Sequence, residues 1–272
     1  MKIMKFKRYL ILLFIQLCLS GIVEAQDIQE QPDTLASLSN LPDTEWLKQA
    51  NELYINEKYQ DAIDLYEKIL REKGESVVVH YNLGNAYYKK NEIAPAILHY
   101  ERALLRDPGN EDIRVNLEMA KQKTVDKIEP IGMFFLSQWL TDIRNIFSTN
   151  QWSWAGIVTF LFFIGCLALF FFSSKRLWKK IGFYAGIILL IGTISSNIFA
   201  YRQKEKLTAK DTAIIFAPTV TVKGSPDKSG VDIVVLHEGS KVFIKSKLGN
   251  WSEIVLEDGN VGWIENNKIE II

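Results

Sequence analysis

Cysteine and histidine are scarce in this chain of 272 residues. Two cysteines, Cys18 and Cys166, exclude a disulfide scaffold and a cysteine-rich zinc site. Three histidines, His80, His99 and His237, are too few and too scattered to suggest a histidine metal centre. Net charge is missing as well. The 32 basic and 32 acidic residues cancel, so global charge points to no nucleic-acid partner. No Cys–His pair, Ser–His–Asp set or paired acids suggest hydrolysis, and no motif calls for a cofactor. The sequence therefore reads as non-enzymatic.

The charge balance is made of unequal parts. Residues 1–25 carry +3, residues 26–130 carry −7, residues 175–180 carry +4, residues 202–210 carry +3 and residues 211–272 carry −3. Such partition describes a segmented chain. Lys2, Lys5, Lys7 and Arg8 precede an uncharged run from Tyr9 to Val23, and Val23-Glu24-Ala25 offers small residues for a cut after Ala25. That layout predicts a secretory signal peptide over 1–25, with an uncleaved membrane anchor as the alternative. Cys18 follows Ile15-Gln16-Leu17, which is not the small-residue run of a lipoprotein signal. Residues 26–42, with Pro32 and Pro42, read as a flexible lead-in.

A shift of 34 residues pairs Trp46 with His80, Ala50 with Gly84, Ala62 with Ala96, Tyr66 with Tyr100 and Ile69 with Ala103. The second copy, Leu83-Gly84, Tyr87, Ala96, Tyr100, Ala103 and Pro108, resembles the tetratricopeptide pattern, with His80 where that pattern has Trp. Small residues at 50, 62, 84 and 96 let paired helices approach; Ala96 is expected to touch the opposite helix at Gly84, with Ala94 on a more tolerant face. An open repeat needs a cap, and Ile113, Leu117 and Ala120 supply its apolar stripe. The prediction is two repeats plus a capping helix over 43–127, five helices in all. The resemblance implies a protein-binding groove lined by Leu47, Asn51 and Tyr54, then Tyr81, Asn82, Asn85, Tyr88 and Lys89, then Asn116. Asparagine amides can both donate to and accept from a peptide backbone; the alternative is that they are solvated helix residues.

Trp152 to Ser174 holds no charge across 23 residues, and Ile181 to Tyr201 none across 21. Each reaches about 30 Å as a helix, the thickness of the bilayer hydrocarbon. A two-helix transmembrane hairpin follows, with 175–180 as its basic cytoplasmic loop. Export of the N-terminal part then returns the C-terminus to the exported side. Arg202, Lys204, Lys206 and Lys210 fit that orientation poorly, since they also attract inward. Within 131–150, Phe135, Trp139, Ile143, Ile146 and Phe147 recur at helical spacing. They suggest either an amphipathic helix on the outer membrane surface or an extension of the span.

From Asp211 the pattern turns to period two. Val220, Val222, Ile233, Val235, Val242, Ile244, Ile254 and Leu256 fall in short runs broken by turns, among them Asp258-Gly259. Five or six strands over 208–272 predict a small all-β barrel, sharing no core with the helical array. Asn250-Trp251-x-x-Ile254 and Asp258-Gly259-x-x-Gly262-Trp263-Ile264 resemble the bacterial SH3-like domain. The resemblance implies that Trp251 and Trp263 support the fold or line a shallow groove, and that a cell-wall peptide is one possible ligand. His237 reads as a solvated turn residue.

The fold class is thus a multidomain membrane protein: an all-α tetratricopeptide array, a transmembrane hairpin and a small SH3-like barrel. That order resembles the BatE-type proteins of the Bacteroides aerotolerance operons. The resemblance implies an inner-membrane protein of a Gram-negative envelope. It would act beside membrane-bound von Willebrand A proteins and a cytoplasmic AAA ATPase, in stress tolerance.

Overall fold

The computed structural model describes residues 43–128, 132 and 134–272. The leader expected over 1–25 and the lead-in over 26–42 lie outside the described residues. Five helices open the described chain: α1 (Asp43–Ile55), α2 (Tyr59–Lys73), α3 (Val77–Lys89), α4 (Ile93–Arg106) and α5 (Glu111–Lys121). The 34-residue repeat is written into the backbone itself. Lys58 N donates to Leu53 O at 2.9 Å, and Glu92 N, 34 residues on, donates to Tyr87 O at 2.9 Å. Between them Glu57 and Asn91, again 34 apart, adopt the left-handed conformation at φ 60° and 63°. Each bond reaches back five residues and closes a helix end that would otherwise leave carbonyls unpaired.

The helices pack through the residues the repeat aligned. Ala50, Ala62, Ile63, Tyr66, Ile69, Val79, Leu83 and Ala86 form one buried cluster. Ala94, Ala96, Ile97, Tyr100, Ala103, Ile113, Leu117 and Ala120 belong to the next, so α5 caps the array with the predicted stripe. Asn110 caps α5 by accepting from Ile113 N at 3.2 Å. Two details differ from expectation. Gly84 faces the Tyr100 ring: a Cβ there would lie 2.6 Å from Tyr100 Cε1, so only glycine fits. Ala94 is as buried as Ala96, because α4 is covered on more than one side.

What covers it is the C-terminal sheet. Ile214, fully buried, belongs to the second helical cluster. The expectation that the sheet shares no core with the array is therefore corrected.

After α5 comes α6 (Phe135–Arg144), an amphipathic helix with no buried residue. α7 (Thr149–Phe172) begins at a capping box, in which Gln151 N donates to Ser148 Oγ and Ser148 N donates to Gln151 Oε1. The break at Ser148 shows that α6 is a separate helix, not an extension of α7. α8 (Arg176–Ala209) pairs with α7 through Gly156, Phe163, Gly182 and Gly186, all buried. Thr193 donates to Thr159 Oγ1 across this pair at 3.0 Å. Both helices are long and apolar enough to cross a membrane. The connection is shorter than the 175–180 loop expected. It spans only Ser173–Lys175, and Arg176–Lys180 form the first turns of α8. At its far end α8 runs eight residues beyond Tyr201, so Arg202, Lys204 and Lys206 sit on helix and the sheet begins after 208.

Seven strands follow: β1 (Thr212–Ile215), β2 (Thr219–Lys223), β3 (Asp232–His237), β4 (Lys241–Leu248), β5 (Trp251–Val255), β6 (Val261–Glu265) and β7 (Ile269–Ile271). They form one antiparallel sheet in the order β3-β2-β6-β5-β4-β1-β7. β3 and β7 are its edges and do not pair, so the predicted barrel is not closed by hydrogen bonds. Ala213, Ile215, Val222, Leu236, Val242, Ile254, Leu256 and Ile264 make the sheet's own core. Of the period-two apolar residues, Ile233 and Val235 point outward, and Leu236 points in. Val234 and Leu236 pair with the inward Val222 and Val220, which puts Val235 and Ile233 on the outer face; beyond them a β-bulge leaves Ile233 unpaired, since Lys223 pairs with Asp232.

Candidate protein-binding groove

The groove is built by α1, α3 and α5. Asn51 stands on α1, Asn82 and Asn85 on α3 and Asn116 on α5, and one hydrogen-bonding motif occurs twice among them. Tyr66 OH donates to Asn51 Oδ1 at 2.6 Å, and Asn82 Nδ2 donates to the same oxygen at 3.0 Å. Moved by 34 residues, Tyr100 OH donates to Asn85 Oδ1 at 2.7 Å, and Asn116 Nδ2 donates to it at 2.9 Å. Asn116 Nδ2 also donates to Tyr81 OH at 3.1 Å. The ladder ties α1 to α3 and α3 to α5, the alternate helices of the array.

It also fixes what remains for a ligand. Each amide has one acceptor oxygen and one donor nitrogen. Among the described residues, the ladder leaves Nδ2 of Asn51 and Asn85 and Oδ1 of Asn82 and Asn116 without a protein partner. Donors and acceptors are thus both present along the groove, which is what an extended peptide backbone needs. Burial pushes the Tyr66 and Tyr100 phenols above their ordinary value, with nearby tyrosines adding to it, so both remain donors in the ladder.

The other predicted groove residues are placed differently. Leu47 and Tyr54 are half-buried against the first cluster, and Tyr88 against the second. Lys89 is exposed at the end of α3 and takes no part in the ladder. A cation not among the predicted groove residues, Lys123, lies 4.1 Å over the Tyr88 ring.

On the sheet, Trp251 pairs with Glu265 and Trp263 with Glu253, so both indoles occupy the face opposite the core. They are diagonal neighbours there. Trp251 lines a cleft of about 120 Å³ with Thr221, Lys223, Lys228, Glu265 and Lys268; Trp263 is not among its walls.

Two histidine constellations were missed. His80 Nδ1 and His99 Nδ1 lie 3.0 Å apart in the core of the second repeat, and His80 Nε2 lies 2.5 Å from Glu75 Oε2. Arg106 pairs with the same carboxylate at 2.8 Å, and Tyr87 stacks on His99 at 5.5 Å. Burial pulls both imidazoles below their ordinary value, His99 well below, so both are neutral at pH 7. His80 then donates from Nε2 to Glu75 and accepts at Nδ1 from His99. The His80 hydrogen bond, with help from Arg106, holds Glu75 down at about 2. The departure of His80 from the repeat pattern was the available signal. His237, half-buried at the end of β3, is bonded to Asp126. Beside it a cleft of about 540 Å³ runs along the seam between α5 and the sheet, lined by Lys121, Asp126, Lys127, Ser240, Lys241 and Glu257. Among the described residues no group of acids, histidines and cysteines is arranged to hold a metal ion.

A tetratricopeptide repeat family profile matches residues 77–110, which are α3, α4 and the turn up to the cap of α5. A search of curated proteins gave no match. The matched segment carries half of the asparagine ladder, and its presence suggests a role in protein–protein interaction.

Proposed function

We propose that the protein is a non-enzymatic membrane scaffold whose tetratricopeptide groove holds an extended segment of a partner protein. The asparagine ladder carries this reading. It repeats with the helices, and it leaves donors on Asn51 and Asn85 and acceptors on Asn82 and Asn116 without a protein partner among the described residues. In this reading α7 and α8 anchor the chain in the inner membrane, and the turn at Ser173–Lys175 with the basic start of α8 faces the cytoplasm. The helical array and the C-terminal sheet then stand together in the periplasm. The order of segments supports a place in an envelope complex of the aerotolerance type, with membrane-bound von Willebrand A proteins as partners.

The test is site-specific photocrosslinking of the full chain in native membranes. A photoreactive residue at Lys89, on the groove, should yield discrete protein adducts, and one at Glu72, on α2, should not. Equal labelling from both positions, or none at Lys89, would remove the groove from the proposal. Orientation is read separately in a cysteine-free background. A cysteine at 228 should react with a membrane-impermeant reagent once the outer membrane is permeabilised, and one at 177 only after lysis.

A second reading rests on the two outward indoles. In it the C-terminal sheet is an SH3-like module, and the cleft beside Trp251 holds a cell-wall peptide, making the protein a peptidoglycan sensor. Co-sedimentation of the detergent-solubilised full chain with purified sacculi, lost on Trp251→Ala, is its expected result. A scaffold alone should stay in the supernatant.

A further inference from the structure

The basic run after the second apolar stretch conflicts with simple charge rules of orientation, and the structure gives it a place. Gln203, buried on α8, donates from Nε2 to Arg144 O at 2.8 Å and to Phe147 O at 2.7 Å. Trp152 Nε1 donates to the same Arg144 carbonyl at 2.8 Å. The end of α6 is thereby bolted to α8 just beyond its uncharged stretch, two residues past Tyr201. Arg202 and Lys206 lie four residues apart on one flank of α8, where side chains neighbour each other.

Three cations meet there with few counter-charges. Arg144 Nε is buried and has no hydrogen-bond partner among the described residues. Burial, then the like charge of Arg202, pulls its guanidinium below the ordinary value. Arg144 and Lys241 bear on Lys206 as like charges, and Asp211 and Glu101 as opposite ones. Glu101 is already engaged by Lys241 at 2.6 Å and Lys121 at 3.3 Å, and Glu205 by Arg202 at 3.3 Å. The cluster is open to solvent on its outer side, since Arg202 and Lys206 are exposed.

Its depth is set by the helices. Lys206 lies five residues past Tyr201, about 7 Å along the helix, and the headgroup layer beyond the hydrocarbon is about 5–8 Å thick on each side. Phe135 and Trp139 of α6, exposed at 74% and 59%, supply an apolar face beside it. We propose that Arg144, Arg202 and Lys206 form a cradle for the phosphate of an anionic phospholipid headgroup, with α6 resting on the acyl boundary next to it. The inference rests on the membrane reading above. It explains the basic run as a lipid contact, not an orientation signal.

The test uses the full chain purified from an equimolar mixture of phosphatidylglycerol and phosphatidylcholine in neutral detergent, with the retained lipids counted by mass spectrometry. Phosphatidylglycerol should be enriched. Each cation near an anionic lipid is worth about a fivefold preference, so Arg144→Gln with Lys206→Gln should remove most of the enrichment. Lys204→Gln, on the other flank of α8, should leave it nearly intact. The double variant should melt with the parent in pure phosphatidylcholine, because the Arg144 carbonyl, not its side chain, makes the bolt. Equal retention of the two lipids, enrichment that survives the double variant, or full displacement by free inorganic phosphate would overturn the cradle. A chain that stays soluble without detergent would instead overturn the membrane reading on which it stands.

Discussion

Asp126 and His237 join the helical array to the sheet: His237 N donates to Asp126 Oδ2 at 2.6 Å, and His237 Nδ1 lies 2.8 Å from Asp126 Oδ1. Ser240 Oγ adds a third bond to Oδ2 at 2.6 Å. Beside this latch Gly239, at φ 87°, brings its backbone so close to Thr124 that a Cβ would lie 2.7 Å from its methyl. Glu101 on α4, buried, bonds Lys241 of β4 and pairs with Lys121 of α5. With Ile214 in the helical core, the two modules are continuous. Packed side chains, not a linker, therefore join the array to the sheet.

Asp126→Ala should loosen that seam. It strips partners from a backbone N–H and a hydroxyl, at a cost of about 1–3 kcal/mol. Hydrogen exchange of the full chain should show faster exchange at 237–242, with α1–α3 unchanged. Burial alone would raise the Asp126 carboxyl, but the Ser240 and His237 bonds outweigh it and hold the group below its ordinary value. A carboxyl depressed in the fold contributes stability above its unfolded pKa of about 4 and loses it as pH falls further. The wild-type seam should accordingly open in acid. Unchanged exchange in the variant would mean the latch holds nothing.

Gly84→Ala drives a methyl into the Tyr100 ring. Relief requires Tyr100 to move, which strains its bond to Asn85, so a loss of about 1–3 kcal/mol is expected in urea melts. Tyr100→Leu should carry its own cost, but the double variant should lose less than the sum of the two. Strict additivity would show that the two positions do not touch.

Glu57 holds a left-handed conformation without a glycine's freedom or an asparagine's tolerance. Such a residue costs about 1 kcal/mol. Glu57→Gly should raise stability by about 0.5–1 kcal/mol, whereas Asn91→Gly, at the matching place in the second repeat, should gain less. A melting temperature lowered by Glu57→Gly would refute the backbone assignment.

The array was legible because its period is local: Tyr66 and Tyr100, or Ala62 and Ala96, announce themselves by spacing alone. Position 214 was not. An apolar residue in a strand says that it is buried, not which element buries it, and Ile214 faces α4 while Ala213 and Ile215 face the sheet's own core. The face of β3 was equally silent, since Ile233-Val234-Val235-Leu236 is apolar at every position and alternation cannot say which pair points in. Of the groove, the residues were legible but not their bonding. The asparagines look like free amides in sequence, whereas half of their capacity is spent on one another and on Tyr66, Tyr81 and Tyr100.

His80 and His99 should make the second repeat sensitive to acid in a way the first is not. Thirty-four residues earlier their places are taken by Trp46 and Leu65, which cannot titrate. Glu75 and Arg106 face His80, and Tyr87 covers His99. Both imidazoles are buried neutral, with pKa values below that of the unfolded chain. The unfolded state therefore binds more protons below pH of about 6.5, and the stability conferred by keeping them neutral is lost as pH falls from there. Glu75, held near 2, adds a second loss below its ordinary carboxylate range. The full chain in neutral detergent should melt at a lower temperature at pH 5.5 than at pH 7.5. Exchanging the pair for the residues of the first repeat, His80→Trp with His99→Leu, should flatten that difference even if it lowers the melting temperature at both values. A pH dependence that survives the exchange would place the sensitive group elsewhere, with the His237–Asp126 seam next to be tested.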